Sequence, residues 1–334
     1  MTEEEAAAVM YAPPASPPSA DASALVARLR AQVEHAVLGQ REVVSQVLAG
    51  LLAGGHVLLE GKPGLGKTML VVALARAFGG NFGRIQFTPD LMPSDVTGFR
   101  LFDMKSQTFQ LRQGPVFCNL LLADEINRAP AKTQAALLEV MQERQVTIDG
   151  ETLKLSPPFM TLATQNPVEH EGTYPLPEAQ LDRFLMKILI DYPARDAESE
   201  IVARAASEAP GESSTAELQV VATPQDVVNA QAAVAAVQVV REVVDYAVAI
   251  VQATREAKTV WLGAGTRGAI ALVRIGKAIA VMHGRHFVIP DDIKAAALTV
   301  LRHRVQLAPA PNPRSSLAPR PSTVRPSRLP APRQ

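Results

Sequence analysis

Short apolar segments alternate with predicted helices along the first part of the chain. Four runs have the length and composition of strands: residues 56–60, 84–88, 119–125 and 159–166. Helices are predicted between them, for example over residues 68–78 and 133–144. Strands that alternate with helices are typical of a parallel sheet covered by helices on both sides. We therefore predict an α/β fold with a doubly wound parallel sheet.

The pattern changes near residue 195, where Ala- and Val-rich helical segments replace the strands. Thr223 begins one of these helices, since an N-cap threonine is followed by proline and then by an acid at the third helical position. We predict an α/β domain over residues 22–195 and a small all-α domain over residues 196–305. The flanking segments, 1–21 and 306–334, are rich in proline and are expected to be disordered.

Charge and hydropathy exclude some classes of function. Basic and acidic residues both number 33, but residues 306–334 hold five arginines and no acid, so the remainder is mildly acidic. An acidic body is a poor match to a nucleic-acid-binding protein. No segment has the apolar length of a membrane span, and the N-terminus lacks a secretory signal pattern. We expect a cytoplasmic protein that neither spans a membrane nor binds nucleic acid.

One loop fits the phosphate-binding pattern G-x-x-x-x-G-K-[ST], between a predicted strand and a predicted helix. Backbone N–H groups of such a loop bind phosphate, its lysine reaches the β- and γ-phosphates, and its hydroxyl binds Mg²⁺. The predicted nucleotide-binding residues of this loop are Gly61, Lys62, Pro63, Gly64, Leu65, Gly66, Lys67 and Thr68. The sequence contains no Asn-Lys-x-Asp guanine motif, which favours ATP over GTP.

Two acids and an amide follow strands of the same predicted sheet. Asp124 and Glu125 end the run LLLADE, and Asn166 ends the run TLATQN. Open α/β sheets bind ligands at the carboxyl ends of their strands, so we expect all three side chains beside the phosphate loop. We predict that Asp124 holds Mg²⁺, that Glu125 polarises an attacking water, and that Asn166 contacts that water or the γ-phosphate.

Two arginines each have two interpretations. Arg183, in EAQLDRF, is either a surface arginine paired with Asp182 or an arginine finger that stabilises charge on the γ-phosphate. Arg267, in GAGTRG, is either a solvated arginine or a contact to the γ-phosphate from the second domain. The residues alone leave both alternatives open.

In this order, the motifs resemble the AAA+ ATPases and, within them, the MoxR family. The resemblance covers about residues 22–305 and implies a P-loop α/β domain followed by a helical lid. Residues 91–98 and 147–150 resemble insertions that, in ring-shaped assemblies of this family, face the central pore or a partner protein. The segments that carry the resemblance are VLGQREVV, EGKPGLGKT, RIQFTPDLMPSDVTG, LLLADEINRAP, MQERQVTIDG, TLATQNPVEHEGTYPLPEAQLDRF and GRHFVIPDDIKAAALTVLRHR.

The resemblance also implies residue roles and partners. Val37 and Gly39 are expected beside the adenine, Asn166 matches sensor 1, and Arg267 matches sensor 2. Arg183 matches the finger that acts on a neighbouring subunit's nucleotide, which implies a ring and usually a hexamer. Members of the family are chaperone-like ATPases that mature client protein complexes or insert cofactors into them. They often act with a partner that contains a von Willebrand factor A domain.

The leading functional hypothesis is a ring-forming ATPase that remodels other proteins. The alternatives are the motor subunit of a magnesium-chelatase-like complex, a nucleic-acid motor, and a nucleotide-binding scaffold that does not hydrolyse ATP. The intact set of Asp124, Glu125 and Asn166 argues against the scaffold. The acidic body argues against the nucleic-acid motor.

Overall fold

The computed structural model describes residues 18–62, 64–166, 173–207 and 217–308. Pro63 and most of the two segments expected to be disordered, 1–21 and 306–334, therefore lie outside the described residues. The first described helix begins at Pro18, within the N-terminal segment and ahead of the predicted start of the α/β domain.

The described helices are, in chain order, α1 (Pro18–Ala36), α2 (Arg41–Leu52), α3 (Lys67–Ala77), α4 (Pro93–Thr97), α5 (Ala131–Glu143), α6 (Glu178–Leu181), α7 (Arg195–Ser207), α8 (Pro224–Ala235), α9 (Arg241–Glu256), α10 (Thr266–Met282) and α11 (Pro290–Leu301). The described strands are β1 (Val57–Gly61), β2 (Phe82–Gln86), β3 (Gly98–Asp103), β4 (Thr108–Gln113), β5 (Leu120–Asp124), β6 (Gln145–Ile148), β7 (Glu151–Lys154), β8 (Met160–Gln165), β9 (Met186–Ile190), β10 (Val260–Leu262) and β11 (Gln306–Leu307).

Five strands form the central sheet in the order β2-β5-β8-β1-β9, and every neighbouring pair is parallel. This arrangement confirms the predicted doubly wound α/β fold. Strands β5 and β8 lie between β1 and β2, although they come later in the chain. The order therefore brings the carboxyl ends of β1, β5 and β8 side by side, where open α/β sheets bind ligands.

The sheet is covered on both faces because its strands send alternate side chains to two hydrophobic cores. In β5, Leu120 and Leu122 pack in the core that contains α1, α2 and α3. Leu121 and Ala123 point the other way, into the core that contains α5. All four side chains are fully buried, which explains why this strand is apolar without alternation.

The region after β9 is helical, as predicted, with one short addition. Helices α7 to α11 form most of it, but β10 pairs antiparallel with β11. Strand β11 begins at Gln306, where disorder was expected. Strands of two or three residues carry no periodic signal, so the sequence pattern does not reveal them.

No helix in the described part of the chain is long and apolar enough to cross a membrane.

Two antiparallel hairpins extend from the α/β domain. The β6–β7 hairpin confirms the prediction around Asp149 and Gly150, whose φ values of 49° and 83° suit a two-residue turn. The β3–β4 hairpin is an addition to the predicted elements. It carries exposed apolar side chains on both strands and at its tip, namely Phe99, Leu101, Phe102, Met104 and Phe109.

Candidate active site

The phosphate loop connects the carboxyl end of β1 to the start of α3, as its motif predicts. Gly64 and Gly66 have left-handed backbone conformations, with φ of 82° and 75°. A Cβ added to either glycine would meet no atom within 4 Å, so the backbone conformation, not crowding, requires glycine. The loop lines an open cavity of about 510 Å³.

Lys67 lies in this loop with its ammonium group half-buried. Its Nζ donates a hydrogen bond of 2.6 Å to the carbonyl oxygen of Gly61. Burial lowers the pKa of Lys67. The carboxylates of Asp124, Glu125 and Glu60 act in the opposite direction and favour the ammonium form. A positive charge in this position attracts an anion more strongly than it would in bulk water.

Asp124 and Glu125 are fixed at the end of β5 by Thr164 on the neighbouring strand β8. The Thr164 hydroxyl donates to Asp124 Oδ1 at 2.6 Å and accepts from the backbone N–H of Glu125 at 2.9 Å. Thr164 is fully buried, so these hydrogen bonds are shielded from water. Glu125 itself has a φ of 55°, a rare conformation for a residue other than glycine, and the chain turns sharply there.

The two carboxylates have different partners on the other side. Asp124 Oδ2 accepts a hydrogen bond of 3.0 Å from Arg84. Glu125 Oε2 accepts one of 2.7 Å from Gln86 and lies 3.3 Å from Arg128 Nε. Two of these partners are in β2, which pairs with β5 so that Gln86 lies beside Asp124. Sequence reasoning missed them because strand register, not local sequence, brings them to the site.

Asn166 follows the last residue of β8 and is buried. It lines the same cavity as Lys67, Thr68, Asp124 and Glu125, so these five predicted residues lie around one cavity. The cavity offers an ammonium group, a hydroxyl and a helix N-terminus from the start of α3, and carboxylates from the end of β5. These groups fit a nucleotide phosphate with Mg²⁺, which prefers oxygen ligands.

A second cavity of about 380 Å³ adjoins the first and shares Gly64, Leu65 and Gly66 with it. Val37, which the family resemblance predicts beside the adenine, lines this cavity. Apolar side chains of α7, including that of Ile201, lie opposite. An apolar pocket next to a phosphate site suits the base of a nucleotide.

Gly39 and Lys62 were expected to contact the nucleotide, but neither lines the two cavities described above. Gly39 does not line the second cavity; its φ is 74°, and a Cβ there would lie 2.7 Å from the Cβ of Ala197. Glycine therefore allows the turn between α1 and α2 to pack against α7. Lys62 places its ammonium 4.8 Å from the ring centroid of Tyr192, which does line that cavity.

The two arginines lie away from this site. Arg183 comes shortly before β9, and Arg267 begins α10; both line a different cavity of about 360 Å³ that also contains Gly55 and His56, just ahead of β1. A strand of five residues such as β1 is about 16 Å long, so the arginines and the phosphate loop occupy opposite edges of the sheet.

Each arginine has a partner at that opposite edge. Arg183 Nη1 donates to the carbonyl oxygen of Leu138 at 3.0 Å, and Arg267 Nη1 lies 3.5 Å from Asp182 Oδ2. Neither arginine lines the cavity of the phosphate loop. The possible contact of Arg267 with a γ-phosphate therefore stays a prediction, and in this geometry it would not involve the phosphate loop of the same chain.

Comparison with known proteins identifies the family. Residues 56–186 match the profile of the ATPase family associated with various cellular activities (AAA), and residues 252–324 match that of the AAA lid domain. The chain is 45% identical to chaperone MoxR1 of Mycobacterium tuberculosis, over 83% of this chain and 74% of the relative. This chain belongs to the MoxR family of AAA+ ATPases.

Further matches to this MoxR-family protein cover most of its length. Protein YeaC of Bacillus subtilis is 47% identical over 86% of this chain and 89% of the relative. A crystal structure of an ATPase candidate from Cytophaga hutchinsonii is 40% identical, with a TM-score of 0.81 and 92% coverage of both chains. The predicted architecture, a P-loop AAA+ domain followed by a helical lid, is thereby confirmed.

Proposed function

We propose that this MoxR-family protein hydrolyses ATP at sites shared between identical subunits of a ring, and that it uses the energy to remodel a client protein. The observation that carries this proposal is the separation of two half-sites. The phosphate loop and the acids lie at one edge of the sheet, and Arg183 and Arg267 lie at the other. Half-sites on opposite edges meet when copies associate head to tail, and such contacts form a ring when the rotation between successive copies closes.

The residues of the first half-site bind ATP and activate water. Lys67 and the loop N–H groups bind the β- and γ-phosphates at the N-terminus of α3. Thr68 and Asp124 hold Mg²⁺, which when bound neutralises charge on the phosphate oxygens. Glu125 polarises the attacking water, and Asn166 orients that water or the γ-phosphate. Glu125 exchanges its hydrogen bond with Gln86 for one with water in this step.

The residues of the second half-site act on the adjacent subunit. Arg183 approaches the γ-phosphate of the neighbour as an arginine finger, a role that accelerates phosphoryl transfer by about 10³-fold or more. Arg267, whose side chain is 62% exposed, acts from the same edge instead of on the nucleotide of its own chain. In the isolated chain Arg267 lies beside the Asp182 carboxylate and Arg183 donates to the carbonyl oxygen of Leu138. The approach of a nucleotide gives each guanidinium group a phosphate partner in addition.

Two observations support a client protein as the target. The family is chaperone-like, and the relative MoxR1 is itself named a chaperone. The exposed apolar side chains of the β3–β4 hairpin provide a surface of the kind that contacts other proteins. A hexameric ring, insertion of a cofactor into the client complex, a von Willebrand factor A domain partner and a cytoplasmic location complete the proposal; they rest on the family resemblance and the composition.

The test is the rate of ATP hydrolysis per subunit, measured with Mg²⁺ over a range of protein concentrations. We expect the rate to rise steeply with concentration and to be lost in Arg183→Ala. Arg241→Ala is the matched control, since Arg241 is highly exposed and its ion pair among the described residues is with Asp245 in its own helix. A rate independent of concentration, or an Arg183→Ala variant as fast as the parent, would overturn the proposal.

A further inference from the structure

The segment that presents Arg183, residues 182–185, is held by the end of the lid. Arg304 follows α11 and buries its guanidinium against this segment, with only 3% of its side chain exposed. Burying a guanidinium is unfavourable unless all its N–H groups find acceptors, so the contact is a specific one.

All five N–H donors of Arg304 are used. Its Nε donates to Asp182 Oδ1 at 2.7 Å, and its Nη2 donates to the carbonyl oxygens of Asp182 at 3.3 Å and Phe184 at 2.6 Å. Its Nη1 donates to the carbonyl oxygen of Leu185 at 3.1 Å and to that of Val300 in α11. Four of the five bonds therefore fix the main chain or side chain on either side of Arg183.

His303 adds a bond to the same segment. Its Nε2 lies 3.1 Å from the carbonyl oxygen of Phe184, and the ring is buried. A neutral imidazole protonated at Nε2 donates this bond. Two consecutive side chains of the turn after α11, those of His303 and Arg304, therefore bond the carbonyl oxygen of Phe184.

Asp182 connects these hydrogen bonds to Arg267. One carboxylate oxygen accepts from Arg304, and the other lies 3.5 Å from Arg267 Nη1. Arg267 is at the start of α10, and Arg304 follows α11, so both lid elements meet at one carboxylate. On the core side, Arg183 is held separately through the carbonyl oxygen of Leu138.

We propose that Asp182 and Arg304 are positioning residues that set Arg183 and Arg267 as one unit for the nucleotide of the adjacent subunit. They act through the two arginines and do not contact ATP. The position of the lid then determines where the finger of the same chain points, so movement of one lid is transmitted to the neighbouring active site. This inference rests on the proposed function, because it requires sites shared between subunits.

Asp182→Asn is the informative variant. The asparagine keeps an acceptor for Arg304, so the buried guanidinium retains its bonds to the main chain, but the charge shared with Arg267 is lost. Arg304→Lys is the second variant, because an ammonium group cannot reproduce five donors in the plane of a guanidinium. Arg302→Lys is the matched control, because Arg302 lies in the same turn and its Nε donates to the carbonyl oxygen of Leu298 in α11.

The first measurement separates turnover from binding. A displacement of about 1 Å in a catalytic group costs of the order of 10²-fold in rate, and we expect kcat to fall by up to this factor in Asp182→Asn. The affinity for ATP should stay within a factor of two or so, since the phosphate loop is untouched. Asp182→Asn with parental kcat would overturn the inference.

The second measurement is subunit mixing, which a role in stability alone would not affect. Glu125→Gln subunits lack the water-activating carboxylate but carry an intact Asp182, Arg183 and Arg304. If Asp182→Asn fails only as a donor to its neighbour, adding Glu125→Gln subunits supplies the missing unit, and ATPase activity rises several-fold above that of either variant. No rescue of Asp182→Asn, with rescue of Arg183→Ala in the same assay, would overturn the positioning role alone.

The same assay distinguishes failure of the proposed function. Mixing Arg183→Ala with Glu125→Gln tests shared sites without involving Asp182 or Arg304. If that mixture stays inactive although both variants assemble, the sites are not shared, and the positioning role falls with the proposed function. Arg304→Lys should be rescued by Glu125→Gln as Asp182→Asn is, while Arg302→Lys should be active without it.

Discussion

Glu125 combines an unusual backbone conformation with two side-chain partners, and its proposed role depends on its charge. In Glu125→Gln the amide keeps the size of the side chain but does not polarise water. We expect kcat for ATP hydrolysis to fall by about 10²-fold or more, with ATP binding retained. The measurement is steady-state ATPase activity beside equilibrium binding of ATP.

Glu139→Gln makes the same chemical change on an exposed position of α5 and is the control for Glu125→Gln. It should leave both turnover and binding at the parental level. Near-parental turnover in Glu125→Gln would remove this residue from the proposed mechanism, while loss of binding would assign it to the nucleotide pocket instead.

The hydroxyl of Thr164 holds Asp124 and Glu125 in place, so its replacement by a methyl group should destabilise the fold. In Thr164→Val, Asp124 loses a donor and the N–H of Glu125 loses an acceptor, both in a largely buried position. Leaving such groups unpaired costs about 1–3 kcal/mol each, so we expect a loss of this order in the free energy of unfolding. Urea unfolding measures it.

Thr161 offers a matched control in the same strand. It is also fully buried, but in the described part of the chain its hydroxyl has no hydrogen-bond partner. Thr161→Val should therefore be neutral or stabilising. Equal losses in Thr161→Val and Thr164→Val would show that the hydrogen bonds of Thr164 do not matter for stability.

At the scale of residues, the sequence predicts the groups whose motifs are local. Gly64, Gly66 and Lys67 follow one another in a single loop, and Asp124 and Glu125 end a single strand. Thr164 was not predicted as a site residue, since its contact with Asp124 depends on β8 pairing with β5. A residue that acts through strand register has no signature in the segment that contains it.

At the scale of elements, two buried histidines connect the ends of secondary structures and make stability depend on pH. His56, just ahead of β1, has its pKa lowered to about 4, chiefly by burial and further by Arg144 and Arg274. His303, after α11, has its pKa lowered to about 3, chiefly by burial and then by Arg304. Both rings are therefore neutral in the folded chain over most of the accessible pH range.

The unfolded chain takes up protons on these histidines first, at its ordinary pKa of about 6.5. The free energy of unfolding should therefore be unaffected by them above this pH and fall as pH decreases from about 6.5 towards 4. The expected slope is about 1.4 kcal/mol per pH unit for each histidine. Urea unfolding at a series of pH values across this window measures the slope.

Two variants test whether the buried histidines cause this slope. His303→Gln keeps a donor for Phe184 and removes one titrating ring, so the slope should fall to about half. His286→Gln, at an exposed position, should leave the slope unchanged. A free energy of unfolding that is flat across the window in the parent chain would contradict the neutral, buried state of both rings.

The elements were predicted where a continuous apolar run or a characteristic turn sequence marks them. The runs of β1, β5 and β8 and the β6–β7 turn have such signals, and the structure contains them. The β3–β4 hairpin exposes apolar residues on both faces, so it lacks the alternation of a half-buried strand. Strands β10 and β11 are two or three residues long and are defined by pairing with each other.

At the scale of the whole molecule, the relation between the lid and the nucleotide site could not be read from motifs. The sequence left open whether Arg267 is a solvated arginine or a contact to a γ-phosphate. The structure places the start of α10 beside Asp182, at the edge of the sheet opposite the phosphate loop. The position of α10 depends on packing between elements that are distant in the chain, and motifs in a single sequence do not predict such packing.

This placement makes the effect of Arg267→Ala depend on assembly. In dilute protein, where subunits are separate, the affinity for ATP should match that of the parent, since Arg267 is remote from its own site. At concentrations where the parent is assembled, kcat should fall by about tenfold or more, because the neighbour loses a cation near its γ-phosphate. Binding titrations and ATPase assays on either side of the assembly range measure both. Weaker binding by the separated subunit would instead place Arg267 on the nucleotide of its own chain, which requires a lid position different from the one seen here.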